Sequence, residues 1–452
     1  MLQRERFPDC RRIGQDAAHN IAKIVPSDFD SNMRALLIPF HFPPMQGSTG
    51  ALRSLAFARW LPSYGWSVTV LTATAHAYPS VASDNLAMIP ADVAVERAFA
   101  LDAQRHFSIR GRYWRVLALP DRWASWIPHA VAKGLAICRR QRPDVLVSTY
   151  PIPSSHLVAW MLHRITRIPW VAEFRDPMVE EGYPEHRLER NFRIWIERRI
   201  FACASKIVVV TDSAQRLYAE RAGRGESFVV NIPNGFDEHD ALGISAAPAR
   251  GACPSGPLTI LHSGVLYPRE RNPEALLVAL ARLVENGWLK PGRARFVFRG
   301  AGNEAGYRSR ARELGLEGIV EFLDSVSYSE AKAEIAAADA LMVLQSSACN
   351  RQIPAKVYEC LAAGKPLLCL ADPCGDTAQF VKKLGLPVEA SLEDATAIES
   401  AVKRFLQLVE SGQAPVLSRD EIAHLSRRSR AAELAAVLDD VVREFRQGSS
   451  AD

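Results

Sequence analysis

The sequence predicts an α/β protein in which two doubly wound parallel sheets follow one another along the chain. Three observations carry that prediction. Apolar runs short enough for buried strands alternate with amphipathic segments of helical length from Met33 onward. The alternation breaks at an Ala, Gly, Pro and Ser-rich stretch ending at Pro257, then restarts. And 452 residues exceed what one ordinary core organises.

Taken in order, residues 1–32 carry no periodic apolar pattern, so a disordered extension is expected there and Met33 reads as the natural start. The first domain, expected over 33–240, opens on the strand Met33–Phe40 and continues with strands at Val68–Leu71, Val145–Ser148, Trp170–Glu173, Ile207–Val210 and Phe228–Asn231. Helices at Leu52–Tyr64, His156–Ile165, Leu188–Ala204 and Ala214–Ala222 separate them, the rhythm of a parallel sheet. The stretch 241–257 reads as an interdomain linker. The second domain, 258–418, has strands at Leu258–His262, Phe296–Arg299, Val320–Leu323, Leu341–Leu344 and Leu367–Leu370. A last amphipathic segment, 419–446, places Leu434, Val437, Leu438 and Val441 on one face and is expected to pack back across the domains.

Composition excludes several classes. With 48% hydrophobic and 23% charged residues the chain is that of an ordinary globular protein. No run approaches the roughly 18 apolar residues that span a bilayer, and the N-terminus lacks a signal-peptide core. The eight cysteines show no paired metal spacing, and three lie in or beside apolar runs, so reduced buried thiols, a cytoplasmic protein and no metal site are expected. The formal charge of +5 is small, but residues 105–142 hold nine Lys or Arg against one acid, Asp121, interleaved with Trp114, Trp123 and Trp126. That pattern reads either as a patch facing an anionic membrane or as a solvated basic face with core tryptophans. No nucleic-acid module accompanies it.

The strongest local motif runs from Ile353 to Pro366. Pro354 is placed at the first helical position, Gly364 supplies a left-handed stop, and Pro366 bars continuation. Buried strands flank this helix, so it starts at the carboxyl end of one of them, where open α/β sheets bind ligands and a helix N-terminus favours phosphate. Glu359, about one and a half turns inside, is in reach of a sugar hydroxyl pair. Lys356, on the same face, either meets phosphate or pairs with Glu359.

A glycine loop follows the first strand, with Gly47, Ser48, Thr49 and Gly50 leading into a helix that carries Arg53. Glycines let backbone amides approach an anion. His156, after Ser148-Thr149-Tyr150-Pro151, faces the cleft or is a satisfied helix histidine. Glu173, Arg175 and Asp176 end the next strand and either pair structurally or line the cleft, and Asp121 is a weaker candidate that reads also as a turn residue.

Four landmarks together resemble glycosyltransferase family 4 with its GT-B fold, which implies two Rossmann-like domains facing each other across a cleft: Phe42-Pro43-Pro44 with the glycine loop, Ile232-Pro233-Asn234-Gly235-Phe236-Asp237, His262-Ser263-Gly264-Val265-Leu266-Tyr267, and the helix at Lys356–Pro366. The resemblance spans about Met33 to Val442. It implies a retaining, metal-independent transferase that moves one sugar from a UDP- or GDP-sugar to a glycan or lipid-linked glycan in polysaccharide biosynthesis. No cofactor beyond that donor is implied, and the setting is cytoplasmic or peripheral at the inner membrane face. Gly264, Lys356, Glu359, Pro354 and Arg351 then fall on the donor side. Arg269 or Arg271 neutralises the diphosphate, with His156 beside the reaction, and Glu173, Arg175, Asp176 and Asp121 fall on the acceptor side. Two departures stand out. Val265 replaces the usual arginine after the glycine, and Arg351 stands eight residues before Glu359 where the family keeps its first glutamate. These departures keep open a non-catalytic subunit of a glycan-assembly complex, and the shared two-domain fold keeps open a nucleotide-sugar epimerase.

Overall fold

The structure is a computed structural model and describes residues 33–46, 49–107, 118–238 and 256–449. The expected extension 1–32, nearly all of the expected linker 241–257, Gly47, Ser48 and Trp114 lie outside the described residues.

The first sheet has seven strands in the order β3-β2-β1-β4-β5-β6-β7, all parallel. They are β1 (Met33–Pro39), β2 (Trp66–Ala73), β3 (Ala94–Ala98), β4 (Val145–Thr149), β5 (Trp170–Glu173), β6 (Lys206–Val209) and β7 (Val229–Asn231). The second sheet has five, ordered β10-β9-β8-β11-β12: β8 (Leu258–Ser263), β9 (Ala294–Arg299), β10 (Val320–Leu323), β11 (Ala340–Gln345) and β12 (Leu367–Ala371). The strand order reverses between β1 and β4 in one sheet and between β8 and β11 in the other. A crevice therefore opens at the carboxyl ends of those pairs, where doubly wound sheets take ligands.

Helices cover both faces of the first sheet: α1 (Thr49–Trp60), α2 (Trp126–Gln141), α3 (Pro153–Thr166), α4 (Arg187–Cys203) and α5 (Asp212–Ala222). Around the second lie α6 (Glu274–Glu285), α7 (Glu304–Glu313), α8 (Tyr328–Ala337), α9 (Ala355–Ala362), α10 (Asp376–Lys383) and α11 (Ala395–Glu410), and the chain closes on α12 (Arg427–Ser449). Strand β3 is absent from the sequence reading because it is an edge strand with Glu96 and Arg97 in its middle, so its apolar signal is weak.

Helix α12 returns to the first domain. Its Ala431, Leu434, Ala435, Leu438, Val441 and Val442 are buried in one apolar cluster with Ala35 and Leu37 of β1, Val68 and Val70 of β2, and Leu55 and Ala58 of α1. Trp66 Nε1 donates to Asp439 Oδ1 at 3.0 Å and fixes the helix's rotation. The two crossings between domains are stitched together. Phe236 N donates to Leu425 O at 3.3 Å, Arg427 N donates to Phe236 O at 2.8 Å, and Gly235 is a glycine because a Cβ there would lie 2.6 Å from Leu425 O.

Two tryptophans of the basic segment, Trp123 and Trp126, are core residues. Trp123 and Trp126 are buried, with ring centroids 4.9 and 5.2 Å from that of Phe40, so neither reaches a lipid interface. Several of the basic groups are also engaged: Arg122 with Asp102 at 3.2 Å, and Lys133 and Arg140 with Glu96 at 3.4 and 2.8 Å. Among the described residues no helix is long and apolar enough to cross a membrane.

Candidate active site

A cavity of about 420 Å³ opens between the two domains at the carboxyl end of β8. Its second-domain wall is the loop Gly264–Arg271 and the start of α9, and its first-domain wall is α1 with the segment after β5. The local sequence explains the second wall. Gly264 follows β8 with φ 140°, a conformation that L side chains avoid, and this turn brings Val265, Tyr267 and Arg271 to the rim. Pro354 is the N-cap of α9 (φ −58°, ψ 139°) and not its first helical residue as the sequence suggested. The helix therefore begins at Ala355, with its free amides at the cavity wall. Gly364 is left-handed at φ 62° and ends the helix as expected.

The cavity is strongly cationic. Arg53, Arg175, Arg271, Lys356, Arg427 and Arg430 line it against two acids, Asp176 and Glu359. Hydrogen bonding sorts the cations. Arg53 is committed to structure: Nε bonds Glu173 Oε1 at 2.7 Å, while Nη1 and Nη2 donate to Pro233 O and Ile232 O at 2.6 and 2.8 Å. It clamps the crossing segment to β5. Arg430 binds Glu433 and His424 O at 2.6 and 2.9 Å. Arg427 stands 3.6 Å from Asp237. Arg271 makes one long contact, Nη1 to Val265 O at 3.4 Å, and lies over the Tyr267 ring. Lys356 Nζ pairs with Glu359 Oε2 at 2.8 Å, the ion-pair alternative, and both side chains line the cavity wall. Burial opposes the lysine's charge, but Glu359 outweighs it and the ammonium pKa ends above the ordinary value.

Other expected residues fall elsewhere. His156 is fully buried on α3, 2.7 Å from Ser148 Oγ and 4.7 Å from the Phe174 ring centroid; burial lowers its pKa to about 3. It is a core histidine, bonded through Nδ1 to Ser148 with its buried Nε2 unpartnered among the described residues, and it does not line the cleft cavity. Arg269 is exposed and does not line the cavity, whereas Arg271 does. Arg351 lies in a separate cavity of about 360 Å³, tied to Glu180, and not on the donor wall. Glu173 is buried in its pair with Arg53 and is no open acceptor contact. Asp121 lines a third cavity and accepts from Trp123 N and Ser154 N at 2.9 and 2.8 Å, capping the first turn of α3 from outside the helix. Burial raises its pKa against those bonds.

Arg175 and Asp176 do line the cavity, from the first domain. Burial raises the pKa of Asp176 and lowers that of Arg175, each opposed by the other's charge. Arg427 and Arg430, absent from the sequence candidates, come from the start of α12; their signal was the cluster Ser426-Arg427-Arg428-Ser429-Arg430 just before a long apolar-periodic helix. Among the described residues no cluster of three or more His, Cys, Asp or Glu has metal-binding geometry.

Comparison with known proteins agrees with this architecture. Residues 49–235 match the glycosyl transferase 4-like domain, and residues 257–408 match the glycosyl transferases group 1 domain. No curated protein sequence matches the chain. Sucrose-phosphate synthase from Thermosynechococcus elongatus superposes with a TM-score of 0.56 at 17% identity, covering 93% of this chain and 100% of that one. WaaG, a glycosyltransferase involved in lipopolysaccharide biosynthesis, gives 0.58 at 13% identity, covering 90% and 99%. Anabaena Alr3699/HepE in complex with UDP-glucose gives 0.53 at 15% identity, covering 93% and 100%. The two domain matches together span most of the chain and both walls of the cleft, and the chain belongs to the family-4-like, group 1 glycosyltransferases with the GT-B fold.

Proposed function

We propose that the protein transfers one sugar from a UDP- or GDP-sugar to a hydroxyl of a glycan or lipid-linked glycan during polysaccharide assembly. The observation that supports this most directly is the meeting of Arg271, Lys356 and the first amides of α9 at one cavity wall, with Glu359 a turn further on. In this reading Glu359 accepts from the ribose hydroxyls, while Arg271, Lys356 and the amides hold the diphosphate. The bond between the anomeric carbon and the β-phosphate oxygen breaks first, its electron pair staying on that oxygen. The acceptor oxygen then bonds to the same face of the anomeric carbon and its proton passes to the departing phosphate. Charge on the leaving group is met by fixed cations, so the reading needs neither a carboxylate nucleophile nor a metal. Contact with an anionic membrane, if the acceptor is lipid-linked, falls to exposed cations such as Arg139 and Arg142 and not to the buried Trp123 and Trp126.

UDP and UDP-glucose, the ligands named for the Anabaena protein, are the first donors to try. Calorimetry of wild type and Glu359→Ala against UDP, GDP, ADP, TDP and CMP tests the site. One diphosphate should bind wild type and lose about tenfold or more in the variant, the effect of removing a charged hydrogen-bond acceptor. If none binds wild type, the reading is wrong. A second reading, a non-catalytic subunit, draws on Arg351 being turned away to Glu180 and on Val265 occupying the usual arginine position. Diphosphate binding without turnover of any nucleotide sugar would favour it.

A further inference from the structure

We infer that Arg175 is the first domain's contact to the donor β-phosphate, completing from across the cleft the clamp that Arg271 and Lys356 begin; this rests on the donor-site reading above. Four observations carry it. Arg175 lines the same cavity as Arg271 and Lys356 but comes from the opposite domain, at the end of β5. Its Nε donates to Tyr150 O at 2.9 Å, which anchors the side chain, and among the described residues no other hydrogen bond or ion pair engages the guanidinium. The two terminal nitrogens are left for a ligand, in the fork geometry that suits a phosphate.

The third observation is Gly50. A Cβ built on it would overlap the Arg175 guanidinium, so any other residue there displaces the arginine. The glycine loop thus makes room for a cation as well as ending in a helix. The fourth is electrostatic. The guanidinium lies against the N-terminal turn of α1, the positive end of that helix, with Arg53 one turn further in. Arg53 is neutralised by Glu173, and although the charge of Asp176 acts on Arg175 through space, among the described residues no acid forms an ion pair with the guanidinium. Buried cations are held where an anion completes them.

The test is calorimetry of wild type, Arg175→Gln, Arg175→Lys and Gly50→Ala with UMP, UDP, GMP and GDP. The monophosphates report an intact fold and nucleoside site in every variant. The affinity that wild type gains from the β-phosphate should fall about tenfold in Arg175→Gln, recover in part in Arg175→Lys, and fall similarly in Gly50→Ala, where Arg271 and Lys356 are untouched. Arg175→Gln with the full wild-type preference for diphosphate overturns the assignment while leaving the donor site standing. Wild type binding none of the four nucleotides overturns both.

Discussion

Arg351 and Glu180 form an ion pair between the two domains, Nη1 to Oε1 at 3.3 Å, beside the cleft and outside the donor cavity. Around it Thr211 Oγ1 donates to Arg351 O at 3.1 Å, Lys383 meets Asp212 at 2.7 Å, and Ser213 bonds Asp376. Where family resemblance places a glutamate toward the sugar, this chain has an interdomain strut. With side chains 49% and 22% exposed, the pair contributes at most about 1 kcal/mol. Arg351→Ala should leave nucleotide affinity within about twofold, as surface changes do. Urea unfolding should show that Glu180→Arg with Arg351→Glu restores what either change alone loses; singles that add without coupling would remove the strut.

His156 should matter for acid stability and not for catalysis. Its folded pKa of about 3 lies below the unfolded value of 6.5, so the unfolded state binds more protons between them. Stability is therefore full above about pH 6.5 and declines as pH falls toward 3. Denaturant melts of His156→Asn should show a shallower decline than wild type over pH 4–6.5, with donor affinity at pH 7 unchanged. Glu197, raised to about 7 by burial, acts in the opposite sense, losing stability as pH rises from 4.5, and is unaltered in that comparison.

Leu434 and Leu438 of α12 are buried against the first sheet. Leu438→Ala should cost about 2–5 kcal/mol, the range for a buried leucine whose cavity does not collapse. The measurement is a urea titration, and the midpoint of the first domain should move. A shift confined to the second domain would contradict the packing described.

Gly235→Ala places a methyl group against Leu425 O and the Ser426 carbonyl carbon, both backbone atoms that have no rotamer to yield. The paired crossings must separate. Hydrogen exchange at Phe236 and Arg427, whose amides make the stitch, should accelerate in this variant relative to wild type.

Much of the fold was legible because buried parallel strands are continuous apolar runs, as in Ala340–Gln345 and Leu367–Ala371. The strand at Ala94–Ala98 was not, since it is an edge strand whose middle residues, Glu96 and Arg97, are charged. In the site, Gly264, Lys356 and Glu359 were readable from helix punctuation and strand order. His156 was misplaced because a residue one turn inside a helix can face the sheet or the cleft, and only the packing of Ser148 and Phe174 decides. Arg427 and Arg430 lay some seventy residues beyond Glu359, and proximity of that kind is a property of topology, not of local sequence.

The docking of α12 also fixes an order of events in synthesis. The outer face of β1 and β2, made near the start of the chain, is covered by side chains from 431 to 442, made near its end. On the ribosome the first domain waits with that apolar face open while the entire second domain emerges and folds. The helix that seals the first sheet is made only after the whole of the second.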